Sequence, residues 1–366
     1  MKRAALAVQL VLGLAMIGVA IGGMSGDVPR WAGEVAARAK GAGAPGEYGI
    51  VTLGWGAAAR VHDINAVGAI AGSAYHEGGP LYAALWRDGE TTEFHAVETN
   101  ISGEAMAITD DGAVAYTVYA DSGSNGRAYV AEPGEEPVCI NDLIPGALQC
   151  RVRALNSSHQ AVGTVSFPEG TRTFTWSPED GAKVLDAPSA LGMGINDAGV
   201  IVGSDGTLNP AGLPCMWVPK SDGTYETINL SADTGVDGRA YSINNAGVAV
   251  GRMSGPVPVV WPVAGEMQVL PGLPNYSGGW AYDVNDHGDI VGCVNCTGGG
   301  RAVLWRDGKA FDLNRCISQP DRWRLIEATA INNDGAITCR ATFDDEATAV
   351  LLVLMEREQP VRMAWR

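Results

Sequence analysis

The stretch Ala281-Tyr282-Asp283-Val284-Asn285-Asp286-His287-Gly288-Asp289-Ile290-Val291-Gly292 carries the phrase on which the fold turns. Its kernel is a β-branched or aliphatic residue, then Asn, two variable residues and Gly. The kernel occurs at Asn65/Gly68, Asn196/Gly199, Asn244/Gly247, Asn285/Gly288 and Asn332/Gly335, and twice in altered form at Thr109/Gly112 and Asn156/His159. Successive copies lie 40 to 48 residues apart. Asn opening a tight turn can bind backbone two residues on through its side chain, and Gly at the fourth position supplies a positive φ. Such a turn between apolar stretches joins antiparallel strands. Repeats of this length also build helical arrays, but these need long 3.6-residue periodicity, which the 49 glycines would break.

Each unit continues in the same way. A β-branched stretch ends in Gly72, Gly163, Gly203, Gly251 or Gly292, with Tyr116 and Cys339 in the other two copies. Next comes an apolar strand with Trp86, Trp176, Trp217, Trp261 or Trp305, replaced by Ala131 and Leu352 in the second and seventh copies, and then a short apolar run. Four strands of ~5–6 residues with four connections of ~4–6 give roughly 36–48 residues, which brackets the repeat. Seven four-stranded units predict an all-β, seven-bladed β-propeller over residues 48–366. The last unit needs a fourth strand. Tyr48 to Leu53 is the segment expected to close the ring, with Val361 to Trp365 as the competitor.

Upstream of the repeats, Lys2 and Arg3 precede an apolar run from Ala4 to Met24, which reads as a signal peptide or membrane-anchor helix over residues 1–24. Residues 25–47, rich in Gly and Ala, read as a linker. The expected location is therefore exported: extracellular, cell surface or periplasmic. Membrane contact is expected only through an uncleaved N-terminal segment. The net charge of −16 carries no basic stripe, which argues against nucleic acid as a partner.

The repeat phrase followed by Ala-x-x-Trp resembles the extracellular HAF repeat family of bacterial proteins. The best matches are Ala240 to Gly251, Ala281 to Gly292 with Arg301 to Gly308, and Ala328 to Gly335. The resemblance implies a secreted or surface protein of propeller-like build and brings no catalytic motif with it.

Seven cysteines in an exported chain suggest disulfides, with Cys139–Cys150, Cys293–Cys296 and Cys316–Cys339 as candidate pairs and Cys215 left over. No cofactor is called for. The oxygen-rich turn at Asn285 to Asp289 raises calcium as an alternative, although it offers fewer than the six to eight oxygens such a site wants. The histidines (62, 76, 95, 159 and 287) show no metal or nucleophile spacing, while Asp63 and Asp283 hold equivalent positions two before the turn Asn. Those carboxylates support an alternative reading as a hydrolase or lyase acting on extracellular polysaccharide. The principal reading is a non-enzymatic binding propeller for a protein or carbohydrate. Its candidate aromatic rim is Trp55, Tyr276, Trp280 and Trp323, in the connections leading to the first strand of each unit. A structural surface or matrix component is the third reading.

Overall fold

The computed structural model describes residues 45–355 apart from 57–58, 76–78, 95–100, 121–124, 208–211, 232–234, 264–265, 277 and 296–298. The expected N-terminal helix, most of the linker and the competing closing segment Val361 to Trp365 lie outside the described residues. So do His76 and His95. Among the described residues, no helix is long and apolar enough to cross a membrane.

The described chain forms seven four-stranded antiparallel sheets. Six are built from consecutive strands. The seventh takes three strands from the end of the chain and one from its start, Tyr48–Thr52, which pairs in register with Glu346–Leu354 (Tyr48 opposite Leu354, Thr52 opposite Val350). Closure by the N-terminal strand is thus the observed solution. Tyr48 is fully buried, and its amide bonds Cys316 O at 2.7 Å, tying the closing strand back to the connection out of blade six.

The first strand of each unit is innermost: Arg60–Ile64, Ile101–Ile108, Gln149–Leu155, Ala190–Ile195, Gly238–Ile243, Gly279–Val284 and Trp323–Ile331. Each packs against the innermost strands on both sides, so the seven surround a central tunnel. The repeat tryptophans are core: Trp86, Trp176, Trp217, Trp261 and Trp305 are 9, 5, 1, 5 and 2 % exposed. Each stands opposite the first residue of the second strand (Ile70, Ala161, Ile201, Ala249 and Ile290), and Ala131 and Leu352 occupy the same register position opposite Val114 and Ile337.

The turn glycines close the hairpins between the first and second strands. Gly68, Gly199, Gly247, Gly288 and Gly335 have φ of 81°, 73°, 82°, 79° and 79°. Each donates its amide to the carbonyl of the turn Asn three residues before it, at 2.9–3.1 Å. What selects glycine there is backbone conformation more than space. A Cβ would meet nothing within 4 Å at Gly68 or Gly288, and only side-chain atoms at the others: Gln160 Oε1 at 3.4 Å and Pro219 Cγ at 3.6 Å at Gly199, Val263 Cγ2 at 3.3 Å at Gly247 and Leu354 Cδ1 at 3.2 Å at Gly335.

The turn asparagines hold the blades together. Each Asn Oδ1 caps its own turn; Asn65 Oδ1, for example, accepts from Ala69 N at 2.8 Å. The Nδ2 then donates to the turn carbonyl of the next blade. Asn65 reaches Thr109 O, Asn156 reaches Asn196 O, Asn196 reaches Asn244 O, Asn244 reaches Asn285 O and Asn285 reaches Asn332 O, all at 2.9–3.1 Å. Asn332 closes the circle on Asn65 O at 3.0 Å across 267 residues. A second circle lies just outside the first: the amide after each Asn donates to the next blade's side chain, as Ala66 N to Asp110, Ser157 N to Asp197, Asn245 N to Asp286 and Asp286 N to Asn333. Of the carboxylates in the Asn285 to Asp289 turn raised for calcium, Asp286 accepts from Asn245 N across the seam and Asp289 pairs with Arg306 of its own blade. Among the described residues, no group of three or more His, Cys, Asp or Glu comes together as a metal site.

Thr109 interrupts the inner belt, because it has no amide to donate to Asn156 O. At that seam, His159, which takes the place of the turn glycine at φ 56°, reaches back to blade two. Its Nδ1 lies 3.0 Å from Glu132 and its Nε2 2.9 Å from Asp111. Burial opposes the charge, but the two carboxylates prevail and hold the imidazole above its ordinary value.

The cysteine expectation requires correction. Cys139, Cys150, Cys316 and Cys339 are free thiols, so neither Cys139–Cys150 nor Cys316–Cys339 forms. Arg127 Nη2 donates to Cys139 Sγ at 3.0 Å, while Cys150 and Cys339 are fully buried in the cores of blades three and seven. Burial pushes the Cys150 thiol up to about 12. Cys215 is a buried free thiol, as expected. Cys296, the expected partner of Cys293, lies outside the described residues.

Two outcomes follow from closure. Deleting Tyr48–Thr52 leaves Glu346–Leu354 an unpaired edge and should abolish a single cooperative melting transition by circular dichroism; an unchanged melt rejects N-terminal closure. Thr109→Asn supplies the missing belt donor and should raise the urea-unfolding free energy by about 0.5–1.5 kcal/mol. A neutral or lower value would show that the His159 contacts have already replaced the link.

Candidate functional site

The lining of the tunnel follows from one irregularity in the inner strands. In six of them, the register to the second strand shifts by one residue between the positions four and two before the turn Asn, as between Val61 and Asp63 or Ala281 and Asp283. The seventh shifts twice, at Ile326 and Thr329. Such bulges bend a strand and re-aim the extra side chain. The glycine opposite the bulge makes room: a Cβ at Gly72 or Gly292 would overlap the carbonyl oxygen of Arg60 or Trp280. Two positions on each inner strand, five and three before the turn Asn (Thr109 in blade two), therefore face the tunnel, although Met106 also packs against the core between blades two and three. They carry Arg60/His62, Glu104/Met106, Arg151/Arg153, Leu191/Met193, Arg239/Tyr241, Trp280/Tyr282 and Glu327/Thr329.

These residues form a connected polar and aromatic lining. Arg60 Nη1 pairs with Glu104 Oε1 at 2.9 Å across the first seam, and Tyr119 OH donates to the other Glu104 oxygen at 3.2 Å. The Arg151 guanidinium lies over the Tyr119 ring, 5.2 Å from its centroid. Arg252 lies over Trp280 at 5.6 Å and donates from Nε to Tyr241 OH at 2.8 Å. Tyr282 packs 5.9 Å from both Trp280 and Tyr241. Arg340 grips Glu327 through two bonds of 3.0 and 3.3 Å. Six arginines (60, 151, 153, 239, 252 and 340) thus meet two glutamates (104 and 327) in a chain whose net charge is −16.

Among the described residues of the lining, His62 Nε2, Arg153 Nε and Trp280 Nε1 are buried polar atoms with no hydrogen-bond partner. They belong to blades one, three and six, so they approach from different sides of the tunnel. Burial lowers the affinity of His62 for its second proton, with Glu104 pulling the other way. Burial also lowers Arg153, against the charges of Tyr119 and Glu104, and Arg239 two blades away is close enough to add to the effect. Unpaired polar groups in so enclosed a place cost about 1–3 kcal/mol each unless something meets them.

Below this lining sit the paired carboxylates. Asp63 accepts from Ile64 N at 2.8 Å and from Ile108 N of blade two at 2.9 Å. Asp283 accepts from Ile331 N of blade seven at 2.9 Å and from Ser242 Oγ of blade five at 2.7 Å. Each carboxylate spans a seam with both oxygens committed to the protein. Burial pushes Asp63 up to about 7, with the two amides opposing and Asp283 adding. Asp283 is also raised, again chiefly by burial.

The turn residues singled out in the sequence stand apart from this lining. Asn65 with Gly68, Asn196 with Gly199, Asn244 with Gly247, Asn285 with Gly288 and Asn332 with Gly335 form the hairpin ends, where each Asn is spent on its own turn and on the next blade. Their role is structural, and none of them contributes a free polar group to the tunnel mouth.

The four aromatics expected to share a rim do not come together. Trp55 is 3 % exposed, packs into the core between blades seven and one, and donates to Thr91 Oγ1 at 3.0 Å. It is core rather than rim. Tyr276 lines a cavity of about 600 Å³ with Leu273, Phe311 and Ile317, and Arg301 donates to its hydroxyl at 2.7 Å. Trp323 packs at a tilt against Phe343, with ring centroids 4.6 Å apart, and lines a separate groove of about 660 Å³ with Arg322, Arg324 and Asp344. Trp280 alone lines the tunnel, and it does so from a strand rather than a connection. The arginines and His62 were not among the expected site residues. Their signal in the sequence is the aligned column of Arg, Glu, Trp and Tyr flanked by small-residue columns.

Asp63 generates a pH test. Its proton binds the folded state more tightly than the unfolded one, so the stability it contributes is complete below about pH 4 and is lost as pH rises through about 7. The urea-unfolding free energy should fall between pH 5 and 8 by an amount of the order of 2 kcal/mol, and Asp63→Asn should flatten that slope. Equal slopes in both proteins would show that Asp63 titrates at an ordinary value.

No family model matches this sequence, and no curated protein does. Solved structures share the fold. YCF48 bound to D1 peptide aligns with TM-score 0.54 and 11 % identity over 86 % of this chain and 99 % of that one. The β-propeller domain of the Trilobed protease from Pyrococcus furiosus gives 0.53 and 12 % over 84 % and 98 %. A streptogramin B lyase gives 0.52 and 11 % over 84 % and 98 %. At these identities the likeness establishes one thing: the chain is an all-β propeller, here with seven four-stranded blades.

Proposed function

We propose that this chain is a non-enzymatic binding propeller that seats its ligand at the arginine-lined mouth of the central tunnel. The observation that carries the reading is the set of buried, unpartnered polar atoms on His62, Arg153 and Trp280, which stand at lining positions on the inner strands of blades one, three and six. The fold neighbours include both a peptide-bound propeller and a lyase, so the fold does not choose between binding and catalysis. The environment of the carboxylates favours binding. Asp63 and Asp283 spend their oxygens on backbone amides and Ser242, which leaves neither aimed at a substrate. The reading also places the protein outside the cytoplasm, on the strength of Lys2-Arg3 and the apolar run behind them and of the likeness to HAF repeats.

Labelled protein applied to arrays of glycans and peptides tests this. A hit seated at the tunnel should weaken at least tenfold in His62→Leu and persist in Trp323→Ala, since Trp323 lies in a separate groove. The reverse pattern would move the site to that groove. Product formation from an array compound that disappears in Asp63→Asn would replace binding with hydrolase or lyase chemistry.

A further inference from the structure

Resting on that reading, we infer that the ligand is an acidic peptide, entering the tunnel mouth end-on and held through its carboxylates. The mouth is cationic in an otherwise acidic molecule, and an arginine fork matches a carboxylate in shape as well as charge. Arg239 and Arg153 hold lining positions on the inner strands of blades five and three, and the blade between them offers only Leu191 and Met193 at those positions. Arg153 Nε and Trp280 Nε1 are groups that can only donate, so what satisfies them must accept.

The tunnel is also polarised. Its turn end carries Asp110, Asp197 and Asp286, each accepting an amide from the preceding blade, with Asp110 and Asp197 exposed. An anion is drawn to the arginine end and repelled from the other, which fixes the direction of entry.

A sugar acid would share the charge but needs an open aromatic face on which to lie. Here Arg252 covers the face of Trp280, and Tyr282 packs against the same ring in an edge-on arrangement. A peptide carboxylate needs only the donors.

Isothermal titration with hexaglutamate, its C-terminally amidated form and a trimer of galacturonate provides the test, in the full chain at low salt. Saturable 1:1 binding of hexaglutamate is expected. It should weaken at least tenfold in Arg153→Gln and in Arg239→Gln, two variants so that a folding defect in one, seen by its melting curve, does not decide the result. A tenfold weaker amidated peptide would assign recognition to the chain terminus, and equal affinity to acidic side chains; both support the inference. Absence of hexaglutamate binding, equal binding by both well-folded variants, or tighter binding of the galacturonate would overturn it. If a neutral array ligand still depends on His62, the tunnel mouth remains a binding site and only its acidic-peptide specificity falls.

Discussion

A closed ring of blades tolerates no free edge, and the hydrogen bond that makes this ring continuous is the donation from each turn asparagine to the next blade's turn carbonyl. A single amide side chain does two jobs, capping its own turn with Oδ1 and crossing the seam with Nδ2. Asp lacks the donor for the second job, and Ser is too short to do both. The bond from Asn332 to Asn65 joins residues 267 apart, and it forms only if every blade between them has the correct width. The N-terminal strand meets the same demand at the outer edge, by completing blade seven.

The seam between blades two and three shows what happens when the rule is broken. Thr109 lacks the amide, and the neighbouring turn has exchanged its glycine for His159 at a positive φ that a non-glycine residue adopts only with strain. The imidazole occupies the seam between Asp111 and Glu132. Two departures from the repeat that look independent in the sequence are therefore one repair in space.

Most of the fold was legible because it depends on local rules repeated seven times. Asn and Gly spacing marked the turns, the tryptophans marked the third strands, and Tyr48 to Leu53 stood as a spare strand where the last blade lacked one. The cysteines were not legible: pairing is decided by where each thiol points, and Cys150 and Cys339 point into the cores of blades. The site was half legible. Trp280 was singled out, but as a residue of a connection. A shift of register in the inner strand is what turns Arg60, Arg153 and Tyr282 inward, and a bulge leaves little trace beyond the glycine opposite it. Trp55 failed for the converse reason. A large aromatic beside a strand is as easily folded beneath the sheet as laid upon it, and sequence spacing does not distinguish the two.

The two ends of the tunnel divide labour along one strand. Toward the turn, Asp63, Asp283 and the asparagines are bonded across seams with both partners inside the protein. Toward the opposite mouth, side chains at corresponding positions include Arg, His, Glu, Trp and Tyr, differing from blade to blade, and His62, Arg153 and Trp280 each keep a buried polar atom without a hydrogen-bond partner. Regularity is what closure requires, so the asparagine link persists at six of the seven seams where blades are joined. A ligand with no sevenfold symmetry requires the opposite, and the lining loses its regularity only two or three residues from the belt. The short distance between those regimes explains how a repeat so uniform at its turns presents a mouth in which no two blades contribute the same pair of side chains.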